Sequence, residues 1–198
     1  MRLLAITDVE RASEEEHLDA YARLNRLIPL WVELRDRRDA RRVIAFGRRL
    51  MDLGVPLLVN DRVDVALLLG ARGVHLGRAS ITVAEARTLL GERPWVSVSA
   101  HAADPGPAPR PADRADGAGR ADAALLSPIF SSPGKAEPLG TGALTTFRAR
   151  CPDLTLLALG GVDATNARSC LDAGADGVAV IRAALDVDQH AALAHALR

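Results

Sequence analysis

Aromatic residues make up only 3% of the 198 positions, and acidic and basic side chains balance to a formal net charge of zero. The first scarcity argues against a base-stacking platform for nucleic acid, and the second removes the basic field that would draw a polyanion or a membrane surface. No apolar run approaches the roughly 18 residues needed to cross a bilayer. The apolar stretch behind Met1 is too short for a secretory signal and runs straight into a strand-like pattern, so the cytoplasm is the simplest address. Cysteine is scarce too. Cys151 and Cys170 share no metal-ligand spacing with histidine and read as inert thiols rather than a disulfide. Lysine is scarcer still: Lys135 is the only one in a chain that otherwise draws its positive charge from arginine, which marks its loop as a place where a compact point charge is wanted.

What the chain does have is 48% hydrophobic residues and no linker-like break, enough for one sizeable core spanning 1–198 as a single unit. Short apolar runs alternate with helical periodicity along most of it. Strands are expected at Leu3–Ile6, Leu30–Leu34, Pro56–Val59, Gly73–Gly77, Trp95–Ser99, Ala123–Leu126, Leu154–Leu159 and Gly177–Val180. Between the first two, Ser13 followed by Glu14, Glu15 and Glu16 predicts an N-cap and an acidic first turn. Val43, Phe46, Leu50 and Leu53 form one stripe of a long helix that Gly54 ends. Val63, Ala66 and Leu67 share a face of a short helix closed by Gly70, and Val83, Ala84, Ala86, Leu89 and Leu90 belong to another. A helix is expected over Gly142–Ala149, one over Asp163–Ala173, and a broken one from Ile181 onward with Asp186–Asp188 as the break. Asp104–Ala121 mixes Pro, Gly, Ala, Asp and Arg without a period and reads as a loop.

Apolar strands that do not alternate in polarity belong to a parallel sheet covered on both faces. Repeats of about 25 residues, with polar groups at one end of nearly every strand, favour closure into a (β/α)8 TIM barrel with its site at the C-terminal face. The alternative, an open doubly wound sheet, would place a glycine-rich loop after the first strand, and Thr7-Asp8-Val9-Glu10 has no glycine there. In such barrels a phosphate sits between the loops after strands seven and eight. Gly160-Gly161 supplies a close backbone approach on one side, and Ile181-Arg182 the other side, with Arg182 as a charge clamp.

Quoted in order, the strand ends are LLAITD at 3–8, VELRDR at 32–37, LLVNDRVDVALLLGARGVHLG at 57–77, VSVSAH at 96–101, LLSPIFSSPGK at 125–135, PLG at 138–140, LALGGVDATNA at 157–167 and DAGADGVAVI at 172–181. On these residues the chain resembles the thiamine phosphate synthase family and its relatives, the thiazole tautomerases. The resemblance implies a magnesium-assisted transferase that joins a pyrimidine-methyl diphosphate to a thiazole phosphate, releasing diphosphate. Its partners would be phosphorylated small molecules, with neither nucleic acid nor membrane, and a homo-oligomer is left open.

Matched to the family pattern, Arg35 and Lys135 are the diphosphate-contacting cations, Arg37 occupies a lysine position, and Asn60-Asp61 is the Asn-Asp pair with Asp61 a metal ligand. Asp61 also suits a helix N-cap, and His75 is expected to pack or to orient a neighbour. Three departures stand out. Ser80 occupies the place of a second metal-binding Asp, which predicts weakened magnesium binding. Glu33 stands where Gln is common, replacing an amide with a substrate-facing carboxyl. The loop Ser131–Lys135 keeps one hydroxyl at a threonine position, with Ser132 the substrate-binding candidate, and Gly134 replaces the other. A metal-independent tautomerase, or a relative that only binds a phosphorylated ligand, is the alternative. Pro128 lies where tautomerases carry a catalytic His, so His101 and Glu33 would be the substitute proton carriers.

Overall fold

A computed structural model of the chain describes residues 1–101, 120–134 and 137–198. Its strands are β1 (Leu3–Ile6), β2 (Leu30–Leu34), β3 (Leu57–Asn60), β4 (Gly73–Leu76), β5 (Trp95–Ala100), β6 (Ala123–Leu126), β7 (Thr155–Leu159) and β8 (Gly177–Val180). They close in sequence order into a barrel, every neighbouring pair parallel, with β8 returning to β1 through Leu3↔Val178 and Ala5↔Val180. Helices α1 (Glu14–Asn25), α2 (Ala40–Met51), α3 (Val63–Leu69), α4 (Val83–Leu90), α5 (Gly142–Arg150), α6 (Ala167–Asp172), α7 (Arg182–Leu185) and α8 (His190–Ala196) lie between and after the strands. This is the (β/α)8 TIM barrel expected from the repeats.

The strands lack alternation because both of their faces are covered. Outward residues such as Leu3, Val32, Val59, Val74 and Val178 pack under the helices, whereas Leu4, Ile6, Leu58, Leu125, Leu157 and Ala179 fill the lumen. Trp31 and Trp95, their ring centroids 5.4 Å apart, close the lumen near the strand starts. Above this apolar floor the inward positions turn polar, with Glu33, Asn60, His75, Ser97 and Ser99. The polarity of the site is therefore set by strand register.

Local chemistry fixes the helix entries. Ser13 closes a capping box with Glu16: the Glu16 N–H donates to Ser13 Oγ at 3.3 Å and the Ser13 N–H to Glu16 Oε2 at 2.7 Å. Thr82 and Glu85 do the same for α4, where the sequence carries the T-x-x-E signal of a capping box. Asp39 caps α2.

Several expectations change. The buried face of α3 is Val63, Val65 and Ala66, and Leu67 is 52% exposed, because the helix axis lies so that the i, i+2, i+3 positions meet the sheet. On α4, Ala86 and Arg87 are buried and Leu89 faces outward. Strand three starts at Leu57, and strand seven at Thr155, one residue later than read. Helix α2 ends at Met51, before the turn that carries Gly54. Helix α6 begins four residues late, since Asp163–Asn166 is spent in a turn: Asp163 Oδ1 accepts from the Thr165 N–H at 2.8 Å and Asn166 Oδ1 from the Asp163 N–H at 3.0 Å. Most of the loop expected at Asp104–Ala121 lies outside the described residues; within it Ala121 is buried.

Candidate active site

At the C-terminal rim, Thr7 is fully buried and ties the ends of two strands together. Its Oγ1 donates to Arg35 O at 3.0 Å and accepts from the Arg35 N–H at 2.9 Å, and its own N–H reaches Glu33 O at 3.0 Å. Arg35 is thereby fixed at the mouth of the barrel. Its guanidinium lies 3.6 Å from Asp8 Oδ2, and Asp8 is itself held through its N–H, which donates to His17 Nε2 at 3.0 Å. His17 Nδ1 sits 2.7 Å from Ser13 O; a carbonyl only accepts, so that nitrogen carries the proton and Nε2 is free to accept.

A cavity of about 240 Å³ opens beside this pair, lined by Asp8, Arg11 and Arg35 on one side and by Ser132, Gly160–Val162 and Ala179–Arg182 on the other. The structure thus brings together Arg35, Ser132, Gly160, Gly161, Ile181 and Arg182, all named from sequence. Gly160 and Gly161 have φ of 94° and 65°, and a Cβ on Gly161 would lie 2.6 Å from Ser131 O, so both positions demand glycine. The turn is locked from two sides. Phe130 N–H donates to Gly160 O at 2.9 Å, and Asn166 Nδ2 donates to Gly161 O at 2.9 Å.

The Asn-Asp pair lies at the end of β3. Asn60 ends the strand in register with His75, which contacts Ser97 Oγ and Ser99 Oγ at 3.0 Å each and so orients its neighbours. Asp61 adopts φ 59°, and its Oδ1 accepts from the Gly77 N–H at 2.9 Å and from Ser80 Oγ. The N-cap role does not hold: Arg62 is the cap residue of α3, its side chain turned to Asp64 rather than capping the helix, and the Asp61 carboxylate serves the turn after β4. Among the described residues no three His, Cys, Asp or Glu side chains cluster to hold a metal. The two positions that the resemblance names for a metal, Asp61 and Ser80, are in contact with each other.

Glu33 is 2% exposed inside the barrel, and its Oε2 has no hydrogen-bond partner among the described residues. Burial pushes its carboxyl above the ordinary carboxylate range, with Asp61 adding to the effect and His75 and Arg35 opposing it. His101 Nδ1 donates to Ser127 O at 2.9 Å and holds the loop after β6. Arg37 is exposed, outside the residues that line the cavity. Lys135 lies outside the described residues. The sequence reasoning missed Asp8, Arg11, His17 and Asn166. Only Asp8 carried a signal, as the polar residue just beyond β1.

Fold and rim together define a (β/α)8 barrel whose cationic and glycine-lined groups gather at the C-terminal ends of its strands. The chain belongs to the thiamine monophosphate synthase family, whose model matches residues 3–184. It is 42% identical over 167 residues to the thiamine-phosphate synthase of Deinococcus radiodurans, covering 81% of this chain and 56% of that protein. It is 37% identical over 202 residues to that of Roseiflexus castenholzii, covering 97% and 84% of the two. The chain thus spans little more than half the length of the Deinococcus relative. Thiamine phosphate pyrophosphorylase from Pyrococcus furiosus shares the fold with a TM-score of 0.76 at 23% identity, over 99% of this chain and 95% of that one. No helix among the described residues is long and apolar enough to cross a membrane.

Proposed function

We propose that the chain is a thiamine phosphate synthase, a transferase that joins a hydroxymethylpyrimidine diphosphate to a thiazole phosphate and releases diphosphate. The observation that carries the reading is the single rim on which Arg35 and the Gly160-Gly161/Arg182 cavity stand beside one another. Such an enzyme needs two anion sites close together, one for the leaving diphosphate and one to hold the acceptor.

In the reaction the C–O bond between the pyrimidine methylene and diphosphate breaks, the pair leaving with oxygen. The thiazole nitrogen then donates its lone pair to the methylene carbon, and no proton moves. Arg35, with Lys135, stabilises charge gathering on the departing diphosphate. The glycine turn, Ser132 and Arg182 hold the thiazole phosphate so that its nitrogen faces the methylene carbon. Asn60 and Glu33 face the pyrimidine from the polar layer above the barrel floor, and Arg37 meets the outer end of the diphosphate.

Asp61 and Ser80 offer hard oxygen ligands in mutual contact, a fit for magnesium, which takes one or two carboxylates and completes its shell with water and substrate phosphate oxygens. When bound there the ion would neutralise charge on the diphosphate. A tautomerase would need a proton carrier at position 128, and Pro128 has no titratable group. Of the two substitutes, His101 has one ring nitrogen committed to Ser127 O, and Glu33 keeps its carboxyl buried inside the barrel.

The test is one incubation series on the purified chain: both substrates with and without magnesium, then thiazole carboxylate phosphate alone. Metal-dependent thiamine phosphate is the expected product. Metal-independent isomerisation of the carboxylate, with no coupling, would replace this reading by the tautomerase.

A further inference from the structure

The cavity beside Arg35 holds a side chain that the family pattern did not bring forward. Arg11 lies in the turn between β1 and α1, and the turn is built to keep it there. Its N–H donates to Asp8 O at 2.9 Å, the Ala12 N–H follows to the same carbonyl at 3.2 Å, and the Ser13 capping box begins immediately after. Its guanidinium Nε stands 3.7 Å from Asp8 Oδ2, the oxygen that also meets Arg35 at 3.6 Å.

One carboxylate is thus shared by two guanidinium groups, and neither contact is as short as a charge-assisted hydrogen bond of about 2.7–2.9 Å. Compare Arg38, whose Nη2 reaches Asp36 at 2.6 Å and Glu14 at 2.7 Å, both within charge-assisted hydrogen-bond length. Arg11 and Arg35 keep donors to spare, and both face the cavity. Among the described lining residues Arg11, Arg35 and Arg182 stand against Asp8 alone, an excess of two positive charges. With Arg35 turned to the departing diphosphate, Arg11 and Arg182 are the two cations left to match a phosphomonoester, which is close to dianionic near neutral pH. Without Arg11 the excess falls to one. The cavity, at about 240 Å³, is smaller than the roughly 300–1,000 Å³ of a whole-ligand pocket, which suits a phosphate and the atoms next to it.

We propose that Arg11 is a third cation of the phosphate cavity, held ready by Asp8, that captures the phosphomonoester of the acceptor substrate. The identity of that substrate rests on the transferase reading, whereas the anion site does not. Arg11 is half exposed at the cavity's outer edge, so it acts on capture rather than on the bond-breaking step.

The experiment is calorimetric titration of the full chain with inorganic phosphate as the probe, alongside steady-state kinetics. Arg11→Ala and Arg11→Gln are compared with wild type and with Arg23→Ala, a control on the outer face of α1. Phosphate affinity is expected to fall about tenfold in both Arg11 variants, with Arg11→Lys recovering part of it and Arg23→Ala unchanged. KM for thiazole phosphate rises by a similar factor, while kcat, KM for the pyrimidine diphosphate and the melting temperature hold. Equal phosphate affinity in wild type and both Arg11 variants would overturn the inference and leave the transferase reading standing. A chain that binds phosphate with the Arg11 dependence but makes no thiamine phosphate would overturn the transferase reading alone.

Discussion

Ser80 donates its hydroxyl hydrogen to Asp61 Oδ1 across the gap between the ends of β3 and β4. The side chain that the family resemblance sets in the place of a second metal-binding carboxylate is thus a hydrogen-bond donor to Asp61. It partly satisfies the Asp61 charge that a magnesium ion would otherwise claim, and it brings no charge of its own. Ser80→Asp is expected to lower the half-saturating magnesium concentration about tenfold and to raise turnover at limiting metal, since hard-cation affinity follows the number of charged oxygen ligands. Magnesium titration of initial rates measures this. An unchanged half-saturation point would show that Ser80 does not border the metal.

Glu33 gives a prediction with a defined pH sign. Burial raises its carboxyl in the folded state, so the folded chain keeps the proton over a range where the unfolded chain, with an ordinary carboxyl near 4.3, has lost it. Stability from this group is therefore fully present below the unfolded value and declines as pH rises through the window between the two. Glu33→Gln removes that penalty. The variant should match wild type near pH 4 and exceed it at pH 7 by about 1 kcal/mol, roughly 2–4 °C in Tm for a chain of this size. Parallel melting curves across that range would mean that Glu33 titrates normally.

How far these groups could be foreseen depends on the distance over which each is specified. The closed parallel barrel was legible because each strand and most helices carry their own signal within a few residues: Ser13 with its acidic turn, Gly70 after α3, and the unbroken apolar run of β8. Gly160 and Gly161 were legible for the same reason. The helix faces were less so. Leu67 and Leu89 are apolar yet exposed, and nothing local says which side of a short helix will meet the sheet. The cap role that Asp61 also suited does not form, because its partners, Gly77 and Ser80, lie sixteen and nineteen residues away. Arg11 and His17 were passed over because each acts through Asp8: Arg11 from three residues on in the same turn, with no motif to mark it, and His17 only once α1 has packed beside the end of β1.

The glycine turn after β7 supplies a steric test. Gly161 has φ 65°, and a Cβ there would meet Ser131 O at 2.6 Å and Phe130 Cβ at 2.8 Å. Gly161→Ala must therefore push away the loop after β6, which carries Ser132. The expected cost is about 1–3 kcal/mol of stability from the strained backbone and contact. Thiazole phosphate KM should rise by about two orders of magnitude, because displacement of about 1 Å is enough to lose a positioned group. Denaturant melts and steady-state kinetics read the two effects separately. A variant with wild-type KM would place the phosphate elsewhere.

Arg87 and Arg148 perform the same task in two parts of the barrel, far from the rim. Arg148 donates to Gly174 O at 3.0 Å and to Pro152 O and Leu154 O at 2.9 Å each, and pairs with Asp176, whose Oδ2 takes the Leu156 N–H at 2.7 Å. Arg87 donates to Glu92 O at 3.1 Å, Arg120 O at 3.2 Å and Pro94 O, and pairs at 2.6 Å with Asp122, whose Oδ2 takes the Val96 N–H at 2.7 Å. In both, an arginine from a helix gathers the carbonyls below the strand starts, and an aspartate ahead of the next strand completes the staple. A lysine cannot reproduce a fork of donors aimed at several carbonyls at once. Arg87→Lys, at the more buried site, should cost about 2–4 kcal/mol in urea unfolding, and Arg148→Lys less. The staples share no partner, so the double variant should be additive within about 0.5 kcal/mol. Because both lie at the opposite end from the rim, kcat/KM of the folded variants should stay within twofold of wild type. A large loss of kcat/KM in the folded Arg87→Lys protein would mean that the two ends of the barrel are mechanically coupled, contrary to the division of labour described above.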